Sequence, residues 1–307
     1  MYAYIARRLL ATIPVLLGVS LLVFSMLHLV PGDPVKMMLS EFQTSPEQLA
    51  LLRSQLNLDD PLPVQFGRFV VNALQGDLGT SIRTKRPVTQ EIMNNLPATL
   101  QLATVGLLVA IVLGTTLGIV SAIRRNTWID TGAMLLALIG VSMPSFWLGL
   151  MLIFAFSLQI RLFPATGSGT WVHLVLPALT LGLGASAIIA RLTRSSMLEV
   201  LSQEYILTAR AKGLRERTVV VRHALKNAII PVLTIFGLQF GQLIAGAVVI
   251  ETIFSRPGIG RLIVDAILSK DFPMVQGIVL LVAVSYVLVN LAVDLLYAFV
   301  NPRIHYT

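Results

Sequence analysis

Six stretches of this chain carry no Asp, Glu, Lys or Arg, and they constrain the fold more than any other feature. They cover residues 9–30, 94–123, 131–160, 162–190, 227–250 and 272–293. The shortest stretches hold 22 residues and would extend about 33 Å as an α-helix, enough to cross a hydrocarbon core of about 30 Å. Helices are favoured because every backbone polar group needs a partner inside the bilayer. The sequence therefore predicts an all-α membrane protein with six transmembrane helices.

The composition agrees with this prediction, because 55% of the residues are hydrophobic and only 12% are charged. With a mean hydropathy of +0.81, the chain is far more apolar than an average soluble domain. It contains no cysteine, which excludes disulfide frameworks, thiolate catalysis and Cys-rich metal sites. Its four histidines are too scattered in sequence to predict a metal site. The net charge of +8 indicates basic cytoplasmic loops rather than a nucleic-acid partner.

Basic residues next to the uncharged stretches predict the orientation of the chain. If the N-terminus is cytoplasmic, the inner segments carry 13 Lys and Arg residues and the short outer loops carry four. Basic residues are retained inside, whereas long loops such as residues 31–97 translocate largely regardless of charge. We therefore expect both termini in the cytoplasm. The first stretch follows Arg7 and Arg8, but it is too long for a signal peptide and lacks a small-residue cleavage site, so we expect it to remain a membrane helix.

The outer connection, residues 31–97, is expected to be a small helical insertion between the first and second spans. Ser45-Pro46-Glu47-Gln48 combines an N-cap residue, a proline at the first helical position and a capping box. A second segment, residues 64–74, places apolar side chains on one face and ends near Gly76. Such an insertion buries little core alone. We interpret it as a cap over the outer ends of the spans, with ligand binding as the alternative.

The sequence lacks the motifs of the common hydrolases. None of its five lysines follows a glycine, which excludes the phosphate-binding loop of ATPases. A His-Glu-x-x-His metal site and a Gly-x-Ser-x-Gly nucleophile elbow are also absent from the sequence. Enzymatic function therefore has little support from the sequence, and we expect that the chain is not an enzyme.

A few polar or helix-breaking residues within the spans are candidates for a translocation path. Ser142 and Pro144 lie in the third span, where the proline should kink the helix. Gln239 and Gln242 lie one turn apart in the fifth span among glycines, which are equally typical of close helix packing. Asp294, near the inner end of the sixth span, is the sole carboxylate within the spans. An ion-coupled carrier would carry several ionisable groups inside its spans, so that class of transporter is disfavoured.

The charged segment between the fourth and fifth spans, residues 191–227, is much longer than a simple connection needs. Met197, Leu201, Tyr205 and Thr208 recur at helical spacing, and Gly213 is placed to close a helix. Two interpretations remain open. The segment is either an amphipathic stretch on the anionic inner leaflet or a docking element for another protein, which its small residues favour.

Eight short motifs, in order along nearly the whole chain, resemble those of one family. They are YIARRL at 4–9, PGDP at 31–34, GDLGTS at 76–81, SMPSF at 142–146, TARAKGL at 208–214, RHALKNA at 222–228, ETIFSRPGIG at 251–260 and VDLLY at 293–297. The chain thereby resembles the membrane permease subunits of bacterial ABC importers, in the branch that handles dipeptides, oligopeptides and nickel.

The resemblance implies a type I ABC importer permease fold that forms a single transmembrane permease domain over residues 1–307. The partners it implies are a second homologous permease, two ATP-binding subunits, an extracytoplasmic substrate-binding protein and membrane lipid, with no nucleic acid. ATP and Mg²⁺ would be bound by the ATPases, so no cofactor is expected in this chain. The expected location is the bacterial inner membrane, with multiple passes. The expected cargo is di- or oligopeptides, with glutathione or nickel as alternatives and an ion-coupled carrier or channel as the different-class alternative.

The resemblance also implies sites. Residues 191–227 correspond to the cytoplasmic coupling loop, called the EAA loop, in which Ala209 and Gly213 match the second Ala and the Gly. Leu207 and Thr208 depart from the general pattern, which has Glu and Ala there. The ATPase-coupling residues are expected to be Glu204, Tyr205, Thr208, Ala209, Arg210, Ala211, Lys212, Gly213 and Leu214. The outer gate, or the docking site of the binding protein, is expected at Glu251, Arg256, Pro257, Gly258 and Gly260.

Overall fold

The computed structural model describes residues 2–29 and 59–300, with side chains at 10–29 and 59–291. The described helices are α1 (Tyr2–Leu29), α2 (Leu62–Leu74), α3 (Val88–Ile123), α4 (Trp128–Ser142), α5 (Ser145–Leu152), α6 (Val172–Leu201), α7 (Glu204–Ala211), α8 (Glu216–Thr218), α9 (Leu225–Ile253), α10 (Ile259–Leu268) and α11 (Phe272–Val300). A π-helical segment, Ile153–Gln159, follows α5, and another, Val219–Ala224, joins α8 to α9. No β-strand occurs in these ranges, where Thr80 and Pro87 form an isolated bridge. The all-α prediction is confirmed.

Five helical segments are long and apolar enough to cross a membrane. A bent pair of helices makes a sixth span if the two helices together are taken as one crossing. The five contain α1, α3, α6, α9 and α11. The bent pair, Trp128–Ser142 with Ser145–Gln159, turns by 107°. The helix breaks rather than kinks because Met143 is extended, with ψ 129°, and a residue before proline disfavours the helical conformation.

The fourth predicted span, residues 162–190, is wrong at its start, because its helix begins only at Val172. Residues 160–171 are not helical. Gly167 and Gly169 take φ values of +110° and +108°, and Pro164 removes a backbone donor, so apolar composition there does not lead to a helix. The helix predicted at 64–74 is confirmed as α2, whereas the capping signal at 45–48 lies outside the described residues.

The chain divides into two compact units, of which the first comprises Met1–Ala98 and Gly258–Leu291. Its core includes Val88, Ile92 and Ile278, contributed by the start of α3 and by α11. Two polar contacts connect other elements of this unit: the side chain of Gln276 donates to the carbonyl oxygen of Val23 at 3.1 Å, and His28 contacts Gln65 at 3.1 Å.

The second unit comprises Thr99–Pro257 and Ala292–Thr307, and its core includes Leu102 of α3, Ile189 of α6 and Ile250 of α9. Its helices α3 and α6 meet along a glycine seam: Gly106, Gly114 and Gly118 of α3 with Gly182, Ser186 and Ala190 of α6. A Cβ atom added at Gly114 would lie 2.6 Å from the carbonyl oxygen of Ser186. Because lipid offers no hydrophobic drive for association between helices, such close packing is a main source of stability in membranes.

Candidate functional site

The predicted coupling segment is a short helix, a glycine turn and a second short helix, as the sequence predicts. Helix α7 ends in a Schellman motif, in which the N–H of Gly213 donates to the carbonyl oxygen of Arg210 at 2.9 Å and that of Leu214 to Ala209 at 3.4 Å. Gly213 takes φ +75°, the left-handed conformation that glycine adopts without a Cβ penalty. The prediction that Gly213 closes the helix is confirmed.

One face of α7 packs against the chain and the other is exposed. Ile206 and Ala209 are buried in a small core with Met197, Val219 and Ala224. The other eight predicted coupling residues are exposed in this chain: Glu204, Tyr205, Thr208, Arg210, Ala211, Lys212, Gly213 and Leu214. Ala209 therefore packs into the chain's own core, whereas the other eight predicted residues lie on the exposed side of the segment.

Two polar links hold the segment in place. Arg210 donates to both carboxylate oxygens of Glu216, with Nε–Oε2 at 3.1 Å and Nη2–Oε1 at 2.7 Å. This hydrogen bonding raises the pKa of the Arg210 guanidinium. Asn227, in the first turn of α9, donates to the hydroxyl oxygen of Tyr205 at 2.7 Å. The segment is thus bonded directly to a membrane helix.

A buried ion pair near this segment was missed by the sequence reasoning. Both carboxylate oxygens of Asp130 accept from Arg194, at 2.7 Å each. Asp130 is 4% exposed and also accepts from Ser121 and from the N–H of Asn126 at 3.0 Å. These contacts join the end of α3, the start of α4 and the last two turns of α6. In sequence, Arg194 counted only as a loop cation and Asp130 stood one residue before an uncharged stretch, so neither indicated the other.

A groove of about 270 Å³ lies beside the coupling segment. Its walls include Arg125, Leu201 and the Arg210–Glu216 pair. It is half polar and half apolar in character, so it can receive a side chain that presents both kinds of surface.

The four predicted path residues occupy two places in the second unit. Ser142 and Pro144 line an open, largely apolar cleft of about 520 Å³ at the break between α4 and α5. On α9, Gln239 is buried whereas Gln242 is exposed. The two glutamines therefore share a helix but not an environment, and the structure does not bring all four residues to one surface.

Most of the predicted outer gate residues are buried. Glu251 is 0% exposed and accepts from the hydroxyl of Thr99 at 2.6 Å. Arg256 is 5% exposed and donates from Nη2 to Gln101 at 2.7 Å. Burial lowers the pKa of the Arg256 guanidinium, and the charge of Glu251 raises it. Gly258 and Gly260 are also buried, and of the five predicted residues only Pro257 is exposed.

Residues 10–29 and 59–291 contain no group of His, Cys, Asp or Glu side chains suited to a metal ion. The charged groups described above pair with one another, as Asp130 does with Arg194, or bond to neutral side chains, as Glu251 does to Thr99.

Comparison with known proteins assigns both halves of the chain. Residues 114–306 match the family described as "Binding-protein-dependent transport system inner membrane component". Residues 1–103 match its N-terminal counterpart, "Binding-prot-dependent transport system membrane comp, N-term".

Two curated relatives match over the full length of both chains. The "Glutathione transport system permease protein GsiC" of Pectobacterium atrosepticum is 47% identical over 306 residues. The "Dipeptide transport system permease protein DppB" of Alkalihalophilus pseudofirmus is 47% identical over 334 residues. Each match covers 100% of either chain.

Solved structures share the fold at low identity. A chain of the inward-facing MetNI methionine ABC transporter aligns with a TM-score of 0.58 at 19% identity, covering 69% of this chain and 97% of that one. A chain of an amino acid ABC transporter with histidines aligns with a TM-score of 0.53 at 17% identity, covering 70% and 95%.

Proposed function

This chain belongs to the family of binding-protein-dependent transport system inner membrane components, and from that premise we propose that it forms, with a second permease, the path by which an ATP-driven importer takes up short peptides. It is a multi-pass membrane permease and not an enzyme, since ATP hydrolysis in this family is done by the partner ATPases. Its partners are a second permease, the ATPases and a substrate-binding protein.

Short peptides are the proposed cargo because relatives named for two different substrates are equally similar to this chain. The glutathione and dipeptide permeases are each 47% identical over full length. A dipeptide and glutathione share amide bonds, free carboxylates and an ammonium group. Dipeptides are the first candidate and glutathione is the second, and the binding protein makes the finer selection.

The proposed coupling surface is the exposed face of α7 together with the turn at Gly213. Eight exposed residues lie on one side of the segment and a small buried core lies on the other. Arg210 bonds to Glu216 within the segment, and Tyr205 bonds to Asn227 of α9. A force applied by an ATPase at this surface would reach the spans through bonded groups rather than through a loose loop. Differential contacts in the open and closed ATPase states then supply the coupling.

Orientation, gating and cofactors complete the proposal. Both termini lie in the cytoplasm, as the distribution of basic residues predicts. The buried Glu251–Arg256 region acts as part of the outer gate rather than as a docking lip. Ser142, Pro144, Gln239 and Gln242 face the path in at least one state of the cycle. This chain binds no cofactor of its own, and ATP and Mg²⁺ are held by the ATPases.

Uptake by the complete complex in proteoliposomes tests the function. Labelled dipeptide and labelled glutathione are supplied outside with the binding protein, and ATP is enclosed inside. We expect uptake that requires ATP, the binding protein and intact ATPases, and that persists when ionophores collapse the ion gradients. Uptake that continues with inactive ATPases and stops with ionophores would establish an ion-coupled carrier instead.

Cross-linking tests the coupling surface, because the natural chain has no cysteine. A cysteine at Lys212 should cross-link to an ATPase carrying cysteines around its cleft, and the yield should change with nucleotide. The matched control is a cysteine at Gln75, which is also exposed but lies on the proposed outer side. Equal cross-linking at both positions would refute the assignment.

A further inference from the structure

A turn at residues 83–86, here called the basic turn, displays positive charge on the surface of the first unit. Its sequence is Arg83-Thr84-Lys85-Arg86, and all four residues are exposed. Arg86 lies 3.6 Å from the carboxylate of Glu91. Arg83 and Lys85 make no ion pair with any residue in the described ranges. The turn therefore carries a net positive charge that the surrounding described groups leave largely uncompensated.

A buried carboxylate anchors the base of the basic turn. Asp271 is 3% exposed and accepts hydrogen bonds from the hydroxyl of Ser81 at 2.5 Å and from the N–H groups of Ile82 at 3.3 Å and Arg83 at 3.4 Å. The same carboxylate accepts from the N–H of Met274 at 3.4 Å, in the first turn of α11. The turn is thus bonded to the end of a membrane helix.

The turn itself is closed by further backbone contacts. The N–H of Thr84 donates to the hydroxyl oxygen of Ser81 at 3.0 Å, and the N–H of Lys85 donates to the carbonyl oxygen of Ser81 at 3.0 Å. Lys85 takes φ +58°, a conformation that a residue with a Cβ adopts at a cost. Below the turn, Ile82 and Val88 are buried. The backbone of the turn is therefore held in one conformation above a buried base.

The position of the turn along α3 favours a protein partner over lipid. Helix α3 begins at Val88, six residues before the uncharged stretch that starts at Asn94. Six residues of helix rise about 9 Å, whereas the headgroup layer adds only about 5–8 Å on each side of the hydrocarbon core. A helix near the bilayer normal therefore carries the turn beyond the headgroups.

We propose that the basic turn is a docking site for an acidic patch on the extracytoplasmic substrate-binding protein. The inference rests on the proposed function and orientation, which place residues 31–97 outside. Exposed charges of one sign accelerate the encounter with a surface of the opposite sign, and salt screens this effect. The rigid base keeps the backbone of the turn in place before contact, so that little conformational entropy is lost on binding.

The association rate of the binding protein with the complete complex in nanodiscs tests the proposal. The variant Arg83→Gln/Lys85→Gln/Arg86→Gln should associate about 10-fold more slowly than the wild type at low salt, and the difference should shrink at high salt. Basal ATP hydrolysis should not change. The matched control Arg83→Lys/Arg86→Lys keeps the charge and should associate as fast as the wild type.

The outcomes separate this proposal from the proposed function. If the triple variant associates at the wild-type rate, the proposed docking site is wrong. The proposed importer function still stands in that case if the binding protein stimulates ATP hydrolysis by the wild-type complex. Absence of any stimulation in the wild type refutes the proposed function itself. Slow association seen only in nanodiscs with anionic lipid would assign the turn to lipid and also overturn the proposal. If the triple variant does not assemble, Arg83→Gln and Lys85→Gln alone should each slow association about 2-fold.

Discussion

Substituting Gly182 by alanine should destabilise the protein by forcing α3 and α6 apart. An added Cβ atom would lie 2.5 Å from the carbonyl oxygen of Gly106 and 2.8 Å from a methyl group of Val109. An ordinary contact needs about 3.4 Å or more, so the helices must separate by about 1 Å at this point. The carbonyl oxygen belongs to the backbone of a membrane helix and cannot rotate away.

The cost follows from the contacts that this separation weakens. A gap of about 1 Å removes up to half of the van der Waals attraction between two atoms in contact, which is about 0.1–0.2 kcal/mol per pair. Over roughly 30 atom pairs along the glycine seam, the loss is about 2 kcal/mol. This estimate agrees with the range of about 1–3 kcal/mol for overpacked cores.

Gly184→Ala is the matched control, because it lies in the same helix and its Cβ atom would meet nothing within 4 Å. The gain of up to about 1 kcal/mol from replacing a helical glycine is common to both variants. It cancels in their difference, which leaves about 1–3 kcal/mol from packing alone. Thermal unfolding, followed by size-exclusion chromatography of heated samples, should show a lower midpoint for Gly182→Ala. Equal midpoints, or a lower midpoint for Gly184→Ala, would refute the seam.

Three further predictions concern the cytoplasmic side and the topology. Asp130→Asn should destabilise the protein by about 1–3 kcal/mol in the same assay, less than the loss of a fully buried pair because the side chain of Arg194 is 26% exposed; an unchanged midpoint would contradict this. Gly213→Val should strain the left-handed turn by about 1–2 kcal/mol and reduce the co-purified ATPase while the spans still assemble; full retention of the ATPase would argue against docking there. A cysteine at Gln75 should react with an impermeant thiol reagent only from outside, and a cysteine at Lys212 only from inside. The reverse pattern would invert the topology.

Within the candidate site, local patterns predicted the backbone well. The helix, the glycine stop and the second helix are local features, because a left-handed glycine and apolar residues at helical spacing act within a few positions. The side-chain partners were less accessible. Sequence placed Ala209 on the docking surface, but its direction depends on where α7 packs, and that packing turns it towards Met197 and Val219.

The sequence by itself determined the class of protein, because uncharged stretches of 22 residues or more leave a chain few options other than membrane helices. It also determined the family, through motifs spread over nearly the whole length. Only the tertiary structure decided which polar groups meet. Asp130 pairs with Arg194, 64 positions away, and Ser81 with Asp271, 190 positions away. Helical periodicity can be recognised from neighbouring residues alone. These partners instead depend on how helices distant in sequence pack, which no local pattern in one chain indicates.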